Sequence, residues 1–277
     1  MLRRQKRIAL INDITGFGRC SVAVELPLIS AMKIQVCPLP TAILSVHTGF
    51  DSHYIDDYTE RMRPYMENWE ENGLEFDGIC TGFMGSAAQI SIVEDFIARF
   101  KKPETKVMVD PVMGDEGRLY ASYTKEMCLE MRKLLAHADL VTPNLTEACE
   151  LLGLPYPEGG EVPDGELRKM AEDLSERGPS QVVITGLHEG GETIKNFIYE
   201  RGKGTEILRV AKIDGDRSGV GDAFAAIVAG SLVNGETLSN SVQKAALFIS
   251  KMVKYAVKLD LPWNYGLPFE EYLTQLK

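Results

Sequence analysis

Apolar residues along this chain follow two alternating rhythms. Short runs rich in β-branched and aliphatic residues, at 7–11, 34–37, 78–80, 106–109, 139–142 and 181–185, alternate with longer stretches in which apolar positions recur every three or four residues. The short runs predict strands, and the longer stretches, at 27–32, 87–100, 123–135, 146–152, 164–177, 222–234 and 239–257, predict helices. The stretch 87–100 reads most clearly, because Ile90, Val93, Ile97 and Phe100 share one face behind Ser86 and Gln89, which have the spacing of a capping box. Strands separated by helices imply parallel βαβ units and an α/β fold. Residues 193–200 and 204–211 read as a strand pair forming an antiparallel edge. The segment 155–163, with Gly159 and Gly160, predicts a surface loop rather than a linker, because the rhythm resumes beyond it; one domain is expected over 1–277.

Polar residues interrupt this pattern at regular places. Asn12-Asp13 follows the first apolar run, Thr81-Gly82 the third, Asp110 the fourth, Thr142-Pro143-Asn144 the fifth and Thr185-Gly186 the sixth. In an open parallel sheet the carboxyl ends share one edge, and ligands bind along it. At the last predicted helix but one, Ser218-Gly219-Val220-Gly221-Asp222 runs directly into an apolar stretch. Two glycines let successive amides turn toward one point, the helix aims its positive end there, and Asp222 stands at the junction. Such an arrangement suits phosphoryl transfer, with Asp222 taking a proton from a hydroxyl and the Gly219, Val220 and Gly221 amides holding the growing charge. Asp is also a strong helix N-cap and Gly-x-Gly is common in tight turns, so this segment alone leaves both roles open.

Asp110-Pro111-Val112-Met113-Gly114-Asp115 brings two carboxylates to a turn and suits Mg²⁺, although a solvated turn has the same composition. Asn144 and Glu147 have capping-box spacing, which does not prevent Glu147 from reaching a metal-bound water. Gly16-Phe17-Gly18-Arg19-Cys20-Ser21 lacks the final Gly of a dinucleotide fingerprint and no acidic residue follows at the required distance; it reads as a turn that lets a small planar molecule approach the backbone. No Gly-x-x-x-x-Gly-Lys-Ser/Thr is present, so P-loop chemistry is excluded. Ser45-Val46-His47-Thr48-Gly49-Phe50 offers a hydroxyl, an imidazole and an aromatic ring, with a local hydrogen-bonding role for His47 as the plain alternative.

Composition narrows the classes. A net charge of -10 with scattered Lys and Arg argues against a nucleic-acid partner. No apolar run is long enough for a signal peptide or a membrane span, and the five cysteines lack any Cys-x-x-Cys, so a cytoplasmic protein with reduced thiols is expected. The four histidines show no metal-ligand spacing.

Taken together, the Ser45–Phe50 segment, Thr81-Gly82-Phe83-Met84-Gly85-Ser86, Asp110 to Asp115 with Gly117 and Tyr120, Thr142 to Glu147, and Gly219-Val220-Gly221-Asp222 resemble the ribokinase-like superfamily, in its vitamin B6 kinase branch, over nearly the whole chain. That resemblance implies a three-layer α/β/α fold whose mostly parallel central sheet carries helices on both faces. It implies ATP and Mg²⁺ as cofactors, possible stimulation by K⁺, and a homodimer. Asp222 would be the base, with Gly219, Val220 and Gly221 as the anion hole. Asn144, Glu147 and Thr185, with Gly219 and Gly221, would contact ATP; Asp110, Asp115 and Glu147 would surround Mg²⁺; Asp13, His47, Thr48 and Phe83 would line the vitamer pocket. Two departures stand out: Val220 replaces the family's usual Thr, and Asp13 occupies a position where pyridoxal kinases commonly carry Ser. The second resembles hydroxymethylpyrimidine kinases of thiamine synthesis, a rival reading beside that of a non-catalytic nucleotide- or vitamer-binding sensor. The loop 114–123 is expected to act as a lid.

Overall fold

The computed structural model describes residues 4–213 and 215–277. In chain order the elements are β1 (Arg7–Phe17), α1 (Val22–Ala31), β2 (Gln35–Val46), β3 (Ile55–Asp57), α2 (Thr59–Glu71), β4 (Gly78–Thr81), α3 (Ala87–Phe100), β5 (Lys106–Val109), β6 (Gly114–Asp115), β7 (Arg118–Leu119), α4 (Lys125–Leu134), β8 (Leu140–Val141), α5 (Leu145–Leu152), α6 (Asp164–Glu176), β9 (Gln181–Glu189), β10 (Thr193–Glu200), β11 (Gly204–Ala211), α7 (Val220–Val233) and α8 (Leu238–Lys258). Nine strands form one sheet in the order β11-β10-β9-β8-β5-β4-β1-β2-β3, and β6 pairs with β7 in a separate hairpin. The central pairings from β2 to β9 are parallel. Antiparallel strands close both ends, β3 on β2 at one and β10 with β11 at the other, the latter as the sequence predicts.

Alternation along the strands builds two cores. Ala9, Ile11, Val107, Val109, Val182 and Ile184 pack under α2 to α6, where Phe96, Met131, Leu151 and Leu174 come from successive helices. Ile8, Leu10, Cys80, Met108 and Val183 face the opposite way, onto α1, α7 and α8. Helices therefore cover both faces, which explains why the central strands read as nearly unbroken apolar runs. The result is the three-layer α/β/α architecture expected of a ribokinase-like fold.

Several boundaries differ from the sequence reading. β1 continues to Phe17 and β2 to Val46, well past the predicted ends. Pro38 and Pro40 lie within β2 because that strand pairs with β1 along its length but with β3 only from Ala42 to Leu44. Residues two apart turn their amide positions the same way, so both missing N–H groups face the unpaired side. The helix α1 begins at Val22, five residues before the predicted start, and keeps Pro27 in its interior. Neither α2 nor β3 is legible in the sequence: α2 is largely polar, contains Pro64 and buries only Met62 and Met66. The capping box at α3 holds by half. Ser86 accepts the Gln89 N–H at 3.3 Å, but the Gln89 side chain accepts from Gly85 and donates to the Thr41 carbonyl and the Thr59 hydroxyl.

Candidate active site

From β1 the chain moves outward through β2 to β3, then returns to β4 and proceeds the other way through β5, β8 and β9. The order therefore reverses between β1 and β4, with α1 on one face and α3 on the other. A crevice opens at such a reversal, past the carboxyl ends of the strands. Here β1 carries an irregularity between Asn12 and Ile14, so that Asn12 and Asp13 lie within a bulged strand rather than beyond its end. Bulges re-aim side chains next to functional sites. Thr185 and Gly186 likewise fall inside the longer β9, while Thr81, Asp110 and Thr142 occupy the strand ends as expected.

Asn12 is fully buried and ties the crevice together. Its Oδ1 accepts the Asp13 and Phe83 N–H groups at 2.9 and 2.8 Å, and its Nδ2 donates to Glu25 Oε2 of α1 at 2.8 Å. Gly82 is required beside it, since a Cβ there would come within 2.3 Å of Asn12 Nδ2. Asp13 is buried and accepts the Thr15 hydroxyl at 2.7 Å; burial raises its pKa despite hydrogen bonds from Ser21 and Thr15.

Asp222 stands in the first turn of α7. Gly219 precedes that helix with φ 76°, and a Cβ there would fall 1.9 Å from the Arg19 carbonyl oxygen, so only glycine fits. No side chain caps the start of α7, so its first amides are left without a capping acceptor. Asp222 Oδ2 accepts the Ser21 N–H at 2.7 Å. Desolvation pushes the Asp222 carboxyl up to about 6, opposed by the Ser21 N–H, reinforced by the Asp13 charge and eased by the Asn12 amide. Asp110 is pushed up to about 7, mainly by desolvation and then by Asp222, while the Thr142 hydroxyl, 3.2 Å away, works against this. Glu147 is buried and raised by its burial and by Asp110. Anionic groups thus converge at this edge, and none of Asp13, Glu25, Asp110, Glu147 or Asp222 forms an ion pair among the described residues.

The remaining predicted residues divide by what already engages them. Asn144 and Glu147 form a reciprocal capping box on α5: Asn144 Oδ1 accepts the Glu147 N–H and Glu147 Oε2 accepts the Asn144 N–H. Glu147 Oε1 also accepts from Met113, and Asn144 Nδ2 donates to the Gly114 carbonyl, so both side chains anchor the 113–114 segment. Thr185 bridges to Asn144 and donates its N–H to the Pro143 carbonyl, which puts it beside them. Asp115 is exposed in the β6–β7 hairpin and accepts the Glu116 N–H. Among the described residues no three acidic, His or Cys side chains converge as a ready metal cage, so Asp110, Asp115 and Glu147 do not form one by themselves. The 114–123 segment folds as that hairpin, held by the Gly117 N–H on the Thr146 hydroxyl and the Tyr120 N–H on the Met113 carbonyl.

On the other flank, both nitrogens of His47 are engaged by backbone. Nδ1 accepts the Gly49 N–H at 3.1 Å, which leaves Nε2–H to donate to the Asn264 carbonyl at 2.7 Å. Thr48 is exposed, and Phe83 packs edge-on against Tyr123. Phe17, Phe50 and Tyr265 form an aromatic cluster beside His47 and Trp263. Residues 263–265 also accept the Ser218 N–H, so the C-terminal segment touches both the aromatic flank and the glycine loop. A separate groove of about 360 Å³ between α4 and α5, lined by Lys125, Cys128, Arg132 and Glu150, includes none of these residues.

The profile of the phosphomethylpyrimidine kinase family matches residues 69–264. The chain belongs to that family. It is 30% identical to the pyridoxal kinase of Actinobacillus pleuropneumoniae, over 74% of this chain and 73% of that one. It is 26% identical to the hydroxymethylpyrimidine/phosphomethylpyrimidine kinase of Haemophilus influenzae, over 68% and 69%. Among solved structures it is similar to a Bacteroides thetaiotaomicron protein provisionally assigned as a phosphomethylpyrimidine kinase and crystallised with pyridoxal, at 36% identity and TM-score 0.95, covering 99% and 96% of the two chains. The pyridoxal kinase of Lactobacillus plantarum follows at 25% identity and TM-score 0.90, covering 98% and 96%.

Within this family member, sequence reasoning missed Asn12 as a hub, Ser21, Glu25 and the aromatic cluster. Glu25 did leave a signal: it is the one charged residue in the apolar helix Val22–Ala31. Ser21 left none, because its role rests on a main-chain N–H and a φ of 52°.

Proposed function

We propose that this chain transfers the γ-phosphoryl group of ATP to the 5′-hydroxymethyl group of a B6 vitamer: pyridoxal, pyridoxine or pyridoxamine. The observation that carries the proposal is Asp222, a carboxylate pushed up to about 6 and aimed by the Ser21 N–H, beside the uncapped start of α7. A base near that value is ionised at neutral pH yet strong enough to take a hydroxyl proton as the phosphoryl group arrives. The Gly219, Val220 and Gly221 amides face the charge on the transferring group, and positioning with charge stabilisation dominates such chemistry. Asp13, Thr48, His47 and Phe83 line the acceptor side, with His47 serving mainly to fix the Gly49 and Asn264 backbone. Asn144, Glu147 and Thr185, together with Gly219 and Gly221, border the nucleotide side.

The donor set fits a hard divalent cation: the Asp222 carboxylate raises the demand of Asp110 for positive charge, and among the described residues the Asp110 side chain has only the Thr142 hydroxyl as partner. Mg²⁺ would be held by Asp110 with water and phosphate oxygens, with Asp115 and Glu147 in reach of those waters, and would neutralise phosphate charge when bound. A homodimer, a cytoplasmic location and stimulation by K⁺ belong to the same reading through the family resemblance.

Asp13 favours a second reading, phosphorylation of hydroxymethylpyrimidine, since a buried carboxylate can accept hydrogen bonds from an aminopyrimidine as readily as from a protonated pyridine or an amine. Measuring ADP release with ATP, Mg²⁺ and each alcohol separates the two. We expect kcat/KM at least about tenfold higher with a B6 vitamer, a difference within reach of a few polar contacts. The opposite ratio would assign the pyrimidine, and no turnover with any alcohol would remove the kinase reading.

A further inference from the structure

Glu25 is buried in α1 at 3% exposure, belongs to no ion pair among the described residues, and has no part in the chemistry proposed above. We propose that Glu25 is a positioning residue: by accepting the Asn12 amide it fixes the first turn of α1 on the β1 bulge, and so aims the Ser21 N–H at the Asp222 carboxylate. The inference rests on Asp222 acting as the base.

The path is short and made of hydrogen bonds. Asn12 Nδ2 donates to Glu25 Oε2 at 2.8 Å; the Glu25 N–H donates to the Ser21 carbonyl at 3.0 Å; the Ser21 N–H donates to Asp222 Oδ2 at 2.7 Å. The bulge end cannot drift, because Asn12 Oδ1 also holds the Asp13 and Phe83 amides and Gly82 packs against the Asn12 amide. The helix end is under strain. Ser21 has φ 52° and ψ -139°, a conformation that L-residues with a side chain rarely adopt. Such a residue persists only where its surroundings over-determine it. The Ser21 side chain is turned to Asp13 rather than capping the helix, and of the turn that its carbonyl begins Glu25 is the residue bonded to the sheet. A buried carboxyl in an apolar helix is destabilising by itself, and its bond to Asn12 accounts for its presence.

Glu25→Gln keeps an oxygen acceptor for the Asn12 amide, whereas Glu25→Met keeps the shape and removes the acceptor. In the full chain, Glu25→Gln should hold kcat within about threefold of the parent, while Glu25→Met should lower kcat by about 10- to 100-fold with KM for ATP within about twofold, the scale of a misplaced catalytic group. Hydrogen exchange at the Ser21 amide, measured without substrate, should quicken in Glu25→Met and stay unchanged in Glu25→Gln. Parental kcat and parental Ser21 protection in folded Glu25→Met would overturn the proposal, as would equal losses in the two variants. Should Glu25→Met fail to fold, Asn12→Ala carries the same expectation from the donor side, and parental kcat there would overturn it. A parent chain that turns over no alcohol would defeat the kinase reading, while the exchange comparison would still decide the positioning role.

Discussion

Burial and three neighbours set the proton affinity of Asp222: burial and the Asp13 carboxylate raise it, and the Ser21 N–H and the Asn12 amide lower it. If Asp222 is the base, Asp222→Asn should cut kcat by ~10²–10⁴ with ATP affinity nearly intact, as loss of a general base does; ADP-release kinetics and calorimetric ATP titration check both halves. In the parent, kcat/KM should fall on the acid side of about 6, because the protonated carboxyl no longer accepts the hydroxyl proton. Stability runs the other way. The folded chain holds this proton more tightly than the unfolded chain, so the residue's favourable contribution is present below the ordinary value of 3.8 and is lost as pH rises through about 6. Asp222→Asn should therefore be more stable than the parent at pH 8, by up to about 3 kcal/mol, with the difference vanishing near pH 4. Thermal unfolding at both pH values decides, and an equal difference at the two would contradict the assignment.

Elements show where local rules decide and where they do not. The start of α7 combines a left-handed Gly219 with a backbone approach that admits no Cβ. Gly219→Ala should lower kcat by at least about 100-fold by displacing the amides from the transferring group, and circular dichroism should show the helix content kept; parental activity would mean these amides do not hold the phosphoryl charge. By contrast α3 lies behind the crevice, and its Ser86 cap serves only the helix. Ser86→Ala should cost about 1 kcal/mol in denaturant unfolding and leave kcat unchanged. The capping boxes also mark a limit of local reading. At α5 the expected reciprocal bonds form, but at α3 the Gln89 side chain is taken by Gly85, Thr41 and Thr59, partners remote in sequence or absent from the pattern.

Across the molecule, acidic residues from β1, α1, β5, α5 and α7 meet at one edge of the sheet in a chain of net charge -10. Such a site repels a polyphosphate unless cations accompany it. Chelation of Mg²⁺ should therefore stop ADP release and remove most of the stabilisation by ATP, which at ~100 times its Kd amounts to about 2.7 kcal/mol. Unaltered turnover in excess chelator would exclude the divalent cation. The three-layer build supplies the rigidity this requires: α1 and α7 pack together on one face, where Asp110 lies beside Glu25 and Ala225, while Glu147 reaches the same edge from α5 on the other face.

Periodicity alone determined the βαβ rhythm, the antiparallel edge at Thr193–Glu200 and Gly204–Ala211, most helices, and the gathering of polar residues at one sheet edge, because these follow from nearest-neighbour spacing and from which face each residue must bury. The glycine loop before Asp222 and the Asn144–Glu147 cap were legible for the same reason: their chemistry is written in consecutive residues. Tertiary structure alone decided the rest. The extensions of β1 and β2 depend on partners across the sheet, α2 on a packing surface that tolerates Pro64, and the backbone anchoring of His47 on residue 264. The link from Glu25 through Ser21 to Asp222 joins residues about 200 positions apart through main-chain geometry, and a hydrogen bond from an N–H that every residue but proline possesses leaves no mark in a sequence.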